Sequence, residues 1–104
     1  METLTFDYYY GDESEQFRFL RVPKALMKSP MFRDLSNGAR LLYGLLLDRM
    51  GLSARNRWYD DQGRVFLYYA LTEIQEELNC CHDTATKWLR ELEILGLIER
   101  KKQD

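Results

Sequence analysis

The stretch that most restricts what this chain can fold into is Thr72–Ile98, TEIQEELNCCHDTATKWLRELEILGLI. Its apolar spacing predicts two helices joined by a tight turn, the second running into a strand from Leu97. Thr72 and Gln75 match a capping box, in which the Thr72 hydroxyl accepts from the Gln75 amide and the Gln75 side chain bonds back to the Thr72 amide. Ile74 and Leu78 share a face, and Asn79 then tolerates the left-handed conformation of a helix exit. In the second helix Cys81, Ala85, Trp88, Leu89, Leu92 and Leu95 recur at helical spacing as one apolar stripe. The other side carries His82, Thr84, Thr86, Lys87, Arg90 and Glu91, and Gly96 ends the helix. Two short helices crossing through a turn, with hydroxyls and cations at the start of the second, suit insertion into a DNA major groove. An ordinary antiparallel helix pair satisfies the same pattern.

The preceding residues supply the body for that pair. Thr3–Tyr10 alternates and predicts a strand, Gly11–Glu15 a polar turn, and Gln16–Val22 a returning strand. A lone hairpin is marginal in water, so it must dock on the body of the domain or on a second copy of the chain. Leu4, Phe6, Tyr8 and Tyr10 share one face and are the candidate dimer interface. Pro23 suits the start of a short helix over Lys24–Lys28, which Ser29-Pro30 stops. Ser36 can cap a helix over Asn37–Met50, with Gly51 at its exit. That helix is apolar nearly all round, with a polar strip at Arg40, Asp48 and Arg49, which predicts a central position surrounded on most sides; Gly44 would admit a close neighbour. Residues 53–57 form a basic loop, and Trp58-Tyr59 and Arg64–Tyr69 flank an Asp/Gly turn as a second hairpin.

Together these elements predict a mainly helical α+β fold, a winged helix-turn-helix with an N-terminal β-hairpin. The wing is incomplete, because after Leu97–Lys101 the chain stops at Asp104 without a partner strand. The expected organisation is an acidic arm with the first hairpin strand over 1–16 and a DNA-binding domain over 17–104, cut from a longer protein.

A length of 104 residues with 45% hydrophobic residues allows one domain with its own core. No run approaches the length of a membrane span and the N-terminus carries no signal pattern, which predicts a cytoplasmic protein without a membrane partner. The formal charge of −2 argues against a non-specific polyanion binder. Five acids fall in residues 1–16 without a Lys or Arg, leaving 15 cations against 12 acids beyond them. DNA affinity from so mildly basic a body must come from placed contacts more than from bulk charge.

The adjacent Cys80 and Cys81 suit neither a disulfide in a reducing compartment nor a zinc site, which needs a second spaced pair; they read as small buried thiols, and no metal or cofactor is expected. One His, no Gly-rich phosphate loop and no nucleophile–base spacing argue against an enzyme.

Three segments carry a family resemblance: FLRVPKALMKSPMF at 19–32, LSNGARLLYGLLLDRMGLSARNRWYDDQGR at 35–64, and Leu78–Arg100. The chain resembles the N-terminal domain of the replication initiator protein A family of plasmids from Gram-positive bacteria, in near-continuous register over roughly 17–102. The resemblance implies a winged-helix domain that binds repeats in a plasmid replication origin as a homodimer, with host replication proteins contacted through a separate C-terminal domain. Where the family's turn usually reads Gly-Cys-Ser, this chain has Asn79-Cys80-Cys81. Either Asp83 caps a later helix start, or the helix begins at His82 with a weak cap.

The sequence then predicts double-stranded DNA binding without catalysis. His82, Thr84, Thr86 and Lys87 are the base-reading candidates, Lys for guanine O6/N7 and Thr for a thymine methyl. Arg90, Arg100, Lys101 and Lys102, with Arg55 and Arg57 as weaker candidates, would pair with phosphates. Trp88, on the stripe of Leu92, is expected in the core or an interface rather than as a base-stacking platform. The alternatives are a winged-helix transcriptional regulator and a protein-docking module that touches no DNA, the latter suggested by Ile94 and the tyrosine-rich hairpin.

Overall fold

The structure, a computed structural model, describes residues 2–3, 19–55, 57 and 59–100, with backbone only for 52–55. It is mainly helical. α1 (Ala25–Lys28) leads through a 3₁₀ turn at Pro30–Phe32 into α2 (Asn37–Arg55), followed by α3 (Leu71–Leu78) and α4 (His82–Ile94). α4 packs against both α2 and α3, and α2 also meets α3.

Ser36 starts α2 as its sequence suggests: its hydroxyl accepts from the Ala39 amide at 3.2 Å and its carbonyl from the Arg40 amide at 3.1 Å. The helix runs on past Gly51 to Arg55, five residues beyond the expected end at Met50. A glycine inside a helix costs only about 1 kcal/mol, too little to stop one already several turns long. α2 keeps part of its surface open, since Leu41 and Met50 are exposed while Ala39, Leu42 and Leu45 are buried. Gly44 does receive a neighbour: a Cβ there would stand 3.0 Å from Val22 Cγ2 and 3.1 Å from the Arg21 carbonyl oxygen.

The core gathers Leu26 from α1, Leu35, then Ala39, Leu42 and Leu45 from α2, Ile74 from α3, and Ala85 and Leu92 from α4. Leu42, Ile74 and Leu92 are fully enclosed, each contributing about 1.5–3 kcal/mol by burial. This shared core fixes α4 across α2 and α3.

Four expectations are corrected. α3 begins at Leu71 behind an extended Ala70 rather than behind a Thr72 cap, so the Thr72–Gln75 capping box does not form. Starting there aligns Leu71, Ile74 and Leu78 against the core, which outweighs a cap of about 1 kcal/mol. The second hairpin contracts to a single antiparallel bridge, Tyr59 to Val65, around a turn in which Asp60 accepts from the amides of Gln62 (2.9 Å) and Arg64 (2.8 Å). No wing strand occurs among the described residues. Residues 97–100 form no β-bridge there, and Glu99 meets Arg64 only through a 3.9 Å side-chain contact. Cys81, finally, is exposed rather than buried, because it stands at the mouth of the turn. The hairpin face Leu4, Phe6, Tyr8 and Tyr10 lies outside the described residues, as do Lys101 and Lys102; residues 19–22 of the expected returning strand carry no strand.

Candidate nucleic-acid interface

The turn between α3 and α4 is three residues long, Asn79–Cys81. Asn79 takes the left-handed conformation (φ 51°, ψ 55°), and the next amide, Cys80, donates to the Gln75 carbonyl at 3.1 Å. Cys80 is half-buried against the core. Cys81 is extended (φ −83°, ψ 169°), and its carbonyl accepts from the Ala85 amide at 3.0 Å. α4 thus starts at His82 with Cys81 in the cap position, and Asp83 is not its cap.

The Cys81 sulfur lies 3.1 Å from the Thr84 hydroxyl. That hydroxyl, then the Thr84 amide at the helix start, draws the Cys81 thiol below its ordinary pKa, whereas burial pushes Cys80 up. Asp83 occupies the first turn of α4, where a carboxylate opposes the positive end of the helix dipole.

Two side chains on α4 grip the first turn of α2. The Trp88 indole covers Gly38 so closely that a Cβ there would overlap the ring. One turn on, Glu91 accepts from the Ser36 amide and from the Ser36 hydroxyl, both at 2.8 Å. Glu91 therefore leaves the exposed polar side to which its spacing assigned it. Trp88 is packed against the core, as expected. α4 ends in a Schellman arrangement: the Gly96 amide donates to Glu93 and the Leu97 amide to Leu92, each at 3.0 Å, with Gly96 at φ 75°.

With its inner side locked, α4 presents His82, Lys87 and Arg90 to solvent. Thr84 and Thr86 are half-buried, and the Thr84 hydroxyl is engaged with Cys81. No carboxylate lies within ion-pair distance of Lys87 or Arg90 among the described residues. Arg100, expected on phosphate, lies 3.2 Å from Glu93 of α4. Such an exposed pair is worth about 0–1 kcal/mol, which a phosphate can outcompete. Arg57 is exposed, with a positive φ of 61°; Arg55 closes α2 and its side chain lies outside the described residues.

Arg49 of α2 meets Glu73 and Glu77 of α3, each at 3.1 Å, and stands 5.1 Å from the centre of the Tyr69 ring. The Tyr69 hydroxyl donates to Glu77 at 2.8 Å. Burial, then that bond, pushes the phenol up to about 12. This cluster ties α3 to the second half of α2, whereas Trp88 and Glu91 hold its first turn. The described residues hold no group of His, Cys, Asp and Glu able to bind a metal, and no described helix is long and apolar enough to cross a membrane.

The geometry defines a mainly helical domain built on a helix–turn–helix pair, with the outer face of its second helix open. Residues 18–104 match the family of replication initiator protein A (RepA) N-termini, and the chain belongs to that family. A 41 kDa protein of Lactobacillus helveticus is 28% identical over 99% of this chain, which spans 29% of that protein's length. Three solved structures are similar throughout. One described as the N-terminal domain of a DNA-binding protein has 31% identity and a TM-score of 0.77, over 96% of this chain and 76% of its own. An MDR initiator has 34% identity and a TM-score of 0.76, over 91% and 78%. A Rep–DNA complex has 32% identity and a TM-score of 0.75, over 93% and 75%.

Proposed function

We propose that this domain binds double-stranded DNA sequence-specifically at repeats in a plasmid replication origin, and that it initiates replication there without catalysing a reaction. The observation that carries this reading is the division of α4. Trp88 and Glu91 fix one side to α2, while Lys87 and Arg90 stand exposed with no carboxylate partner among the described residues. A recognition helix needs such a rigid back and an open basic front. The solved relatives described as a Rep–DNA complex and as a DNA-binding domain support the choice of ligand.

Lys87 reaches base edges with His82 beside it, and Thr86 contributes from its half-buried position. Arg90 holds phosphate, joined by Arg100 once the Glu93 contact is exchanged, and by Lys101, Lys102, Arg55 and Arg57. Two copies joined through the N-terminal residues place their recognition helices in successive major grooves about 34–36 Å apart. Host replication proteins are met by the part of the relatives' length that this chain does not span.

Selecting bound duplexes from a random pool tests the reading. A recurring motif that matches origin repeats supports it; recovery of motifs from promoters alone favours the transcriptional regulator instead. Ile94, 75% exposed at the end of α4, favours a protein-docking role as the second reading. A band-shift titration with no specific shift at moderate salt would select that one.

A further inference from the structure

Residues 19–33, FLRVPKALMKSPMFR, contain four cations and no acid. Lys24, Lys28 and Arg33 are all exposed, and among the described residues none has a carboxylate within ion-pair distance. Arg49, Arg64 and Arg100, by contrast, each meet an acid, and Arg40 is held by backbone carbonyls. This segment is also firmly placed. The Arg40 guanidinium donates to the Leu26 carbonyl at 2.8 Å and to the Phe32 carbonyl at 3.0 Å, and Leu26 is buried in the core. Arg33 stands three residues before Ser36, which Glu91 grips at 2.8 Å, and Arg90 adjoins Glu91. The basic segment is therefore held to the start of α2, which Glu91 of α4 also grips.

From this we infer that Lys24, Lys28 and Arg33 form a second set of phosphate contacts, engaging the duplex that flanks the stretch read by α4. The inference rests on the DNA-binding reading and adds where the protein's footprint extends. Unpaired lysines and arginines on a rigid support attract the backbone without reading sequence, and each neutralised phosphate steepens the salt dependence of binding. The exposed Met27 and Met31 between them offer apolar contact to deoxyribose. The same surface chemistry would also accept an acidic protein segment, and the test separates the two.

The experiment compares the full chain with a Lys24→Ala, Lys28→Ala, Arg33→Ala variant, confirmed folded by circular dichroism, on a selected duplex over a range of salt. The slope of log K against log salt should become shallower by about 2–3. Preference for the selected duplex over a scrambled one should hold, and trimming the flanks should remove the difference between parent and variant. An unchanged slope in a parent that binds specifically overturns this inference alone and leaves the strip to an acidic protein partner. A parent that shows no specific binding overturns this inference together with the reading beneath it.

Discussion

Glu91, on α4, holds the backbone amide and the hydroxyl of Ser36, both at 2.8 Å, and the same hydroxyl caps α2 through Ala39. One carboxylate thus sets both the start of the central helix and the seating of the proposed recognition helix. Replacing it with alanine leaves a partly buried amide and hydroxyl without their acceptor, which should cost about 1–3 kcal/mol. Glu91→Gln, which keeps one acceptor oxygen, should retain part of that. Urea unfolding midpoints for the two variants measure it, and equal midpoints for Glu91→Ala and the parent would remove Glu91 from this role.

Gly38 answers to Trp88 in the same way. A Cβ at position 38 overlaps the indole, so Gly38→Ala should destabilise the domain by about 1–3 kcal/mol and move the ring. The tryptophan emission spectrum should shift with it. An unaltered spectrum and midpoint would show that the ring yields without cost.

The cap of α4 is open to improvement. Cys81 occupies the N-cap with a sulfur whose contact is the Thr84 hydroxyl, whereas serine is among the strongest N-cap residues. Cys81→Ser should therefore stabilise the domain by about 0.5–1 kcal/mol in thermal unfolding. A loss of stability would show that the thiol packs better than a hydroxyl caps.

Tyr69 gives the domain an alkaline signature. Its phenol titrates at about 12 when folded, above its ordinary 10.0, so the folded state keeps its proton after the unfolded chain has lost it. The associated stability is whole below pH 10 and disappears as pH rises towards 12. Tyr69→Phe should narrow its stability gap to the parent across that window. Tyrosinate absorbance in the parent should show one phenol titrating late.

Local chemistry made much of this legible in the sequence. Ser36 before Asn37, Asn79 after Leu78 and Gly96 after Leu95 each mark a helix boundary through a backbone requirement of their own. The leucine spacing of α2 and α4 likewise named most of the core. The start of α3 was hidden, because the weak Ala70 cap prevails only once Leu71 has a core to meet. Glu91 was hidden for the same reason at longer range. Its partner lies 55 positions away, and on α4 alone it looks like any solvated acid of the polar face. The strand expected from Leu97 is absent from residues 97–100, because a strand needs a partner backbone and the described residues offer none in register.

The central claim is that the open face of α4 reads DNA sequence, and Lys87→Ala tests it most directly. Fluorescence anisotropy would compare parent and variant on a selected duplex and on a scrambled one of equal length and charge. Loss of one base-reading pair, about 1–3 kcal/mol, should reduce the ratio of the two affinities about 5- to 150-fold while binding to the scrambled duplex falls much less. An unchanged ratio and an unchanged preferred sequence would contradict the assignment of α4 as the recognition helix.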